Sequence, residues 1–197
     1  SIICKAAIKM FSEHGINTQP SDFIPFIGTG ENRYLSGVAE KHGYPIDIER
    51  DKARTYVIYT EIIKGNLQPL PGVKNFIERC KNLSLKLALA TSADEVKMIA
   101  NFNEIKVPLD TFDATVNGLE VDKKKPDPEI FITAAKLLGL RCADCLVVED
   151  AVSGVKAAKA SGAFCLALTT SFTIDELKDA DWFAPTLQEA PEEAITW

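Results

Sequence analysis

The chain has 197 residues, of which 46% are hydrophobic and 25% charged, and its formal net charge is −6. A chain of this length and composition can bury one core and carry a smaller lobe. The acidic balance argues against a nucleic-acid surface, which needs a basic face, and no apolar run approaches the roughly 20 residues of a membrane span.

The first third of the chain has helical periodicity throughout. The side chains that share one face of the first predicted helix are Ile3, Ala6, Ala7, Met10 and Phe11. Two more helices are predicted over residues 34–42 and 48–64, the second with an apolar stripe made by Ala53, Val57 and Ile58. We therefore predict an all-helical cap region over residues 1–68.

From about Pro69 onward, helices alternate with short β-rich runs. A helix is predicted over residues 73–82, and the β-rich runs are residues 87–90, 114–116, 146–148 and 164–168. This alternation is typical of a parallel sheet with right-handed crossovers. We predict an α/β, Rossmann-like core over residues 69–197, which a short strand and a helix complete after Ala180.

Two adjacent carboxylates, Glu149 and Asp150, end one of the apolar runs and precede a helix-like segment. Ligands of open parallel sheets bind at the carboxyl ends of the strands, where hard oxygen donors can converge on Mg²⁺. The alternative is a solvated acidic turn, because carboxylates also favour the N-terminus of a helix dipole. These two residues alone leave both interpretations open.

Two other places along the chain have groups that could bind phosphate. Thr91 and Ser92 follow the run at residues 87–90, so the Thr91 hydroxyl and the Ser92 amide could hold a phosphate oxygen. Lys125 precedes Pro126, which biases the lysine away from helix and onto a loop. Taken singly, a plain strand end and a solvated run of lysines explain these residues better. The order of all three features along the chain argues against coincidence.

That order is a hydroxyl after a strand, then Lys-Pro, then Glu-Asp after another strand. It resembles the haloacid dehalogenase (HAD) superfamily, and within it the phosphatases similar to β-phosphoglucomutase. Thr91 falls on the second family motif, Lys125 on the third and Glu149-Asp150 on the fourth. The stretch at residues 22–31 is most similar to a plant subgroup of the superfamily.

The resemblance implies a Mg²⁺-dependent phosphatase of a small phosphorylated metabolite, with a HAD-like core and a helical cap. Asp150 would bind the metal directly, and Glu149 would bind it directly or through one water. Lys125 and Thr91 would be the catalytic residues, and with Ser92 they would hold the phosphate. The partner is therefore a small molecule rather than nucleic acid or a membrane, and we expect a monomer.

The resemblance also implies a substrate loop in the cap, made by Gly28, Thr29, Gly30 and Glu31. The plain alternative is a turn that breaks a helix. In β-phosphoglucomutase the matching loop carries an arginine that holds a second phosphate, whereas here Glu31 follows the glycines and the nearest arginine is Arg33. This difference favours a phosphatase over a mutase.

The first family motif, Asp-x-Asp-Gly-Thr/Val, is absent from the sequence. In the family its first Asp is the nucleophile that becomes an aspartyl phosphate, and its second Asp is the general acid and base. We expect that about 15–20 upstream residues, one strand and its turn, are missing from the sequence. The alternative is a chain that never had them, which would be an inactive domain with a structural or binding role.

The sequence has five cysteines, an odd number spread through apolar stretches. This usage predicts reduced thiols and an intracellular, reducing location, either the cytoplasm or the chloroplast stroma. Cys142 and Cys145 form a C-x-x-C pattern, but a zinc site needs two more ligands, and His14 and His42 lie far away in the first region. We therefore expect neither a zinc site nor a redox site here.

Overall fold

The computed structural model describes residues 1–196, and its first third is helical. The helices are α1 (Ile2–Glu13), α2 (Pro20–Phe23), α3 (Glu31–Lys41) and α4 (Ile48–Ile63), with a 3₁₀ turn over Ile24–Phe26. All of residues 1–68 are described, and none of them lies in a strand. We keep the name cap region for residues 1–68, although the position of the domain boundary stays a prediction.

The cap region has an apolar core in which α1 packs along α4, and Ala100, from outside residues 1–68, packs against it. The predicted stripe on α4 is partly wrong, because Ala53 and Val57 are exposed and only Ile58 is buried. Thr55 is buried instead, and its hydroxyl donates to the backbone carbonyl of Asp51. A polar side chain with a local backbone partner can lie on the buried face, so apolar residues alone do not mark that face.

Strands and helices alternate in the second region (residues 69–196). The elements are α5 (Val73–Asn82), β1 (Ala88–Ala90), α6 (Glu95–Glu104), β2 (Ala114–Val116), α7 (Glu129–Leu138), β3 (Leu146–Glu149), α8 (Val152–Ser161), β4 (Phe164–Leu168) and β5 (Trp182–Ala184). The predicted terminal strand is present as β5. The predicted terminal helix is wrong within the described residues, since two 3₁₀ turns, Leu187–Glu189 and Glu192–Ile195, follow β5; Trp197 lies outside them.

Every strand pairing is parallel, as predicted, but the strands form two sheets rather than one. One sheet has the order β1-β2, and the other has the order β3-β4-β5. The registers are set by pairs such as Leu89 with Thr115 and Val147 with Cys165. Within residues 1–196, β1 and β3 do not pair with each other, so the predicted parallel core is present as two sheets.

An apolar cavity of about 600 Å³ lies between β1 and β3, and we call it the slot. Its walls are the two strands, and its faces are formed by helices α5 and α7. Strand β4 has partners on both sides and is buried from Cys165 to Leu168, whereas Val148 in β3 is 36% exposed and no residue of β1 is fully buried. The slot thus leaves one edge of β1 and one edge of β3 incompletely covered.

Candidate active site

A buried ion pair joins the third and fourth predicted motifs. The Lys125 ammonium donates to Glu149 Oε1, and the two side chains are only 8% and 9% exposed. The other carboxylate oxygen, Oε2, accepts from the backbone N–H of Asp150 at 2.9 Å and of Ala151 at 3.1 Å. The Lys125 ammonium also lies 4.8 Å from the centre of the Phe131 ring. Glu149 therefore fixes the lysine with both of its oxygens engaged.

Gly154 on α8 gives the Glu149 carboxylate its space. A Cβ at residue 154 would lie 2.0 Å from Glu149 Cδ, far inside van der Waals contact. The sequence pattern did not single out this glycine, because a glycine in a helix has several explanations. The absence of a side chain at Gly154 lets α8 lie close to the Lys125–Glu149 ion pair.

Asp150 lies at the start of the loop after β3, and hydroxyls from the loop after β4 surround it. Its Oδ2 accepts from Ser171 Oγ at 2.8 Å and from Thr170 Oγ1 at 3.2 Å. Sequence reasoning missed both hydroxyl residues. A signal was present, because residues 169–171 follow a buried strand with three hydroxyl residues, as Thr91 and Ser92 follow β1.

Thr91 and Ser92 occupy the carboxyl end of β1, as predicted. The Thr91 N–H donates to Val116 O in β2 at 2.9 Å, and the Thr91 hydroxyl accepts from the Ala93 N–H at 3.2 Å. Gly118, just after β2, lies so close that a Cβ there would be 2.3 Å from the Ser92 carbonyl oxygen. The loops after β1 and β2 are thus packed together.

The predicted cap loop connects the ends of the two sheets. Gly28, at φ +82°, lies against Ser153 at the start of α8, where a Cβ would be 2.5 Å from Ser153 Oγ. Thr29, Gly30 and Glu31 line a cavity of about 220 Å³ that also has Ser92, Asp94 and Lys124 in its walls. The loop therefore contacts the segments that follow β1 and β3. Together with the Lys125–Glu149 pair, these contacts put the predicted site residues at one edge of the core.

Buried ion pairs hold this loop region against the core. The Glu31 carboxylate accepts from Lys97 Nζ of α6 at 2.6 Å, and Lys52 of α4 pairs with Asp94 at 2.8 Å. Glu31 is therefore a contact between cap and core in this structure, and its role toward substrate stays a prediction. Arg33 pairs with Glu40 further along α3, and its guanidinium lies 5.1 Å from the centre of the Phe26 ring.

The oxygen atoms at Asp150 supply only some of the ligands that a divalent cation requires. Mg²⁺ is usually bound through one or two carboxylates together with waters and substrate phosphate, and Asp150 offers one such carboxylate. Glu149 fits a position one water away, because protein donors already engage both of its oxygens. Within residues 1–196 no three Asp, Glu, His or Cys side chains are grouped to hold a metal ion, so a second carboxylate would have to come from elsewhere.

The five cysteines all lie in the described part of the chain. All five are free thiols, and the Cys142–Cys145 pattern makes no disulfide. Burial raises the pKa of the Cys145 thiol and raises that of Cys165 to about 12, so thiolate formation is disfavoured at both. None of the helices between residues 1 and 196 has the length and apolar character required to cross a membrane.

Two curated relatives cover much of this chain. Protein SUPPRESSOR OF QUENCHING 1, chloroplastic, from Arabidopsis thaliana is 39% identical over 179 residues, which are 89% of this chain and 17% of the relative. The phosphorylated carbohydrates phosphatase of Thermotoga maritima is 33% identical over 144 residues, 66% of this chain and 64% of the relative. The chain thus spans less than two thirds of the length of either relative.

The fold also matches solved structures. The crystal structure of β-phosphoglucomutase from Clostridium difficile superposes with a TM-score of 0.86, covers 99% of this chain and 88% of that chain, and is 21% identical. Residues 2–162 match the family of haloacid dehalogenase-like hydrolases. The motif residues are gathered at one edge of a parallel α/β core, and the family match covers most of the sequence. The chain belongs to the haloacid dehalogenase-like hydrolase family.

Proposed function

We propose that this chain is the cap and most of the core of a Mg²⁺-dependent phosphatase that acts on a small phosphorylated metabolite, a sugar phosphate. The observation that carries this proposal is the buried Lys125–Glu149 pair beside Asp150, which places a fixed cation next to a carboxylate at the strand ends. The name of the Thermotoga maritima relative supports a carbohydrate phosphate as the substrate class.

The proposed reaction uses an aspartate nucleophile from a segment outside these 197 residues, since the sequence contains no Asp-x-Asp-Gly. A carboxylate oxygen of that aspartate attacks phosphorus, the ester P–O bond breaks, and the leaving alcohol takes a proton from the second aspartate. Water then gives a proton to the second aspartate and attacks phosphorus of the aspartyl phosphate, so the P–O bond to the first aspartate breaks, inorganic phosphate is released and the carboxylate is restored.

The residues of this chain position the phosphoryl group and neutralise its charge, which is the main requirement of phosphoryl transfer. The Lys125 ammonium, oriented by Glu149, binds a phosphate oxygen, while the Thr91 hydroxyl and the Ser92 amide hold another. Mg²⁺, held by Asp150, supplies further neutralisation of the phosphate charge when it is bound. The cap region excludes bulk water and contacts the leaving group through the loop at residues 28–31.

A phosphosugar mutase and a non-catalytic domain are the alternatives. The pairing of Arg33 with Glu40 favours a phosphatase over a mutase, because the nearest cap arginine is already engaged along its own helix. The non-catalytic alternative holds if no segment outside these 197 residues supplies a nucleophile. A reducing location and a monomeric state stay predictions, and the plant relative bears the word chloroplastic in its name.

The test is phosphate release from p-nitrophenyl phosphate and a panel of sugar phosphates, with Mg²⁺ and with EDTA. In a protein that joins an Asp-x-Asp-Gly segment to this chain, we expect Mg²⁺-dependent turnover. Asp150→Asn should lower the turnover about 100-fold or more, because it removes a metal ligand. The matched variant Asp144→Asn, which changes an exposed partner of Arg141, should keep turnover within about twofold.

Two results would contradict the proposal. One is full activity in Asp150→Asn, since the metal would then be held elsewhere. The other is metal-dependent turnover by residues 1–197 alone, because some residue of this chain would then have to be the nucleophile.

A further inference from the structure

The three consecutive lysines of this chain have different surroundings. The Lys123 side chain is 73% exposed, whereas that of Lys125 is 8% exposed. Lys124 is half-buried and lines the cavity of about 220 Å³ beside the cap loop. Its ammonium donates to Gly118 O at 2.6 Å and also to Val121 O. Both acceptors are main-chain carbonyls, so the Lys124 side chain holds the backbone of the loop that follows β2.

The main chain of Gly118 connects Lys124 to the loop that follows β1. The Gly118 N–H donates to the Ala93 carbonyl at 2.8 Å, and the Gly118 carbonyl accepts from Lys124. A Cβ at residue 118 would lie 2.3 Å from Ser92 O, so the close approach of the two loops requires a glycine. Two hydrogen bonds in series therefore join the candidate phosphate loop to the residue before Lys125.

Both ends of the Lys125 side chain are consequently restrained. Glu149 fixes the ammonium at the far end. At the near end, neighbouring Cα atoms are about 3.8 Å apart, so an anchor on Lys124 also restrains the main chain of Lys125. Hydrogen bonds from a charged donor are stronger than those between neutral groups, and an ammonium can therefore act as such an anchor. The two restraints come from different segments of the chain.

The aliphatic stem of Lys124 lies beside the cap loop. A Cβ at Gly30 would be 3.6 Å from Lys124 Cγ and 3.8 Å from Cδ, which is ordinary van der Waals contact. The φ of Gly30 is +88°, a conformation that residues with a side chain rarely adopt. One side chain thus lies between the cap loop, the loop after β2 and the segment that carries Lys125.

We propose that Lys124 is a positioning residue for Lys125. Through Gly118 it fixes the distance between the Lys125 ammonium and the candidate phosphate loop after β1, without touching the phosphate itself. This role rests on the proposed function, whereas the hydrogen bonds that support it do not. A shift of about 1 Å in a group that contacts the reacting atoms can cost about 100-fold in rate, so a residue that prevents the shift has a measurable effect.

The first test measures turnover of p-nitrophenyl phosphate with Mg²⁺ by a protein that joins an Asp-x-Asp-Gly segment to this chain. Lys124→Met keeps most of the stem and removes both hydrogen bonds. We expect kcat to fall about tenfold and KM to stay within about threefold, because Lys125 still reaches the phosphate but is misplaced in the transition state. Lys124→Arg retains N–H donors and should keep kcat within about threefold. The exposed control Lys123→Met should leave both constants within about twofold.

The second test needs no turnover, because it measures amide exchange by NMR in the same joined protein without substrate. In Lys124→Met the Gly118 amide should exchange about tenfold faster, since its loop has lost the anchor on the carbonyl side. The Leu119 amide is an internal control, because it donates to Asn117 Oδ1 at 2.9 Å within the same turn. Its exchange should stay within about threefold. Lys124→Arg should restore the protection of Gly118.

The proposal fails if Lys124→Met keeps kcat within about twofold of the wild type, or if Lys124→Arg loses as much kcat as Lys124→Met. Unchanged exchange at Gly118 also contradicts it. A crystal structure of the wild-type joined protein provides a check that needs no variant, since a Lys124 ammonium beyond hydrogen-bond distance of Gly118 O would contradict the proposal too. If the wild-type joined protein shows no turnover, the proposed function fails, and the exchange result still decides whether Lys124 holds Gly118.

Discussion

The cap region and the second region bury their apolar residues to different degrees. In the cap region Met10, Phe11 and Ile58 are completely buried, and Ala100 of α6 packs against the same core. In the second region β4 is enclosed but β1 and β3 border the slot, and Val148 remains 36% exposed. The candidate site residues lie at the end of this incompletely enclosed part. The comparison teaches that the core of the cap region is filled by described residues, whereas the core beside the candidate site is not.

The largest expected effect is at the ion pair of the second region. Lys125→Met removes one partner and leaves the Glu149 carboxylate buried, so the free energy of unfolding should fall by about 3–5 kcal/mol. Urea unfolding measures this change. Lys123→Met is the matched control, because Lys123 is 73% exposed and pairs with Asp127 at 3.8 Å. A loss below about 1 kcal/mol in Lys125→Met would show that the pair is not buried in solution.

The next effect compares core packing in the two regions directly. Ile58→Ala in the cap core should lower the free energy of unfolding by about 2–5 kcal/mol, because it leaves a cavity. Val148→Ala beside the slot should lower it by less than about 1 kcal/mol, since that side chain already borders open space. Similar losses in the two variants, again measured by urea unfolding, would contradict the contrast between the regions.

A smaller effect is expected at Gly154. The added methyl group of Gly154→Ala overlaps the Glu149 carboxylate and should lower the free energy of unfolding by about 1–3 kcal/mol. Without that overlap an alanine in a helix would be stabilising, so the sign of the change is informative. A stability increase on urea unfolding would mean that Glu149 lies elsewhere.

The smallest effect is a pH dependence in the cap region. Lys41 donates to the Asp22 carboxylate, the Gln19 N–H donates to it and the His42 ring contacts it, which together hold the pKa of Asp22 well below its usual range. Because the native pKa lies below the unfolded value, the stabilisation is present above about pH 4 and is lost as the pH falls further. Thermal unfolding between pH 5 and 2 should therefore depend less on pH in Asp22→Asn. Asp179→Asn, at an exposed position, should keep the wild-type slope.

Much of the fold could be predicted because local patterns agree with the tertiary structure. The runs at residues 114–116 and 164–168 form strands with the predicted bounds, since they are short, apolar and flanked by helical segments. The split of the sheet could not be read from periodicity, because pairing depends on which strands lie side by side. The buried face of α4 was misread because Thr55 has a backbone partner that makes its burial possible.

The candidate site residues were predicted one by one, but their hydrogen bonds were not. Strand ends and Lys-Pro predicted that Thr91, Lys125, Glu149 and Asp150 lie at one edge of the core, and their role stays a prediction. The pairing of Glu31 with Lys97 and the hydroxyls of Thr170 and Ser171 around Asp150 depend on contacts between distant segments. Side-chain direction at such contacts is set by packing, which a single sequence does not encode locally.

The most direct test of the account is a crystal structure of this chain joined to an Asp-x-Asp-Gly segment, with Mg²⁺ and inorganic phosphate bound. We expect an Asp150 carboxylate oxygen at about 2.0–2.1 Å from Mg²⁺. Phosphate should lie within hydrogen-bond distance of Lys125 Nζ and the Thr91 hydroxyl, at about 2.7–3.2 Å. Phosphate or Mg²⁺ bound away from these residues, with Lys125 and Asp150 contacting neither, would contradict the account.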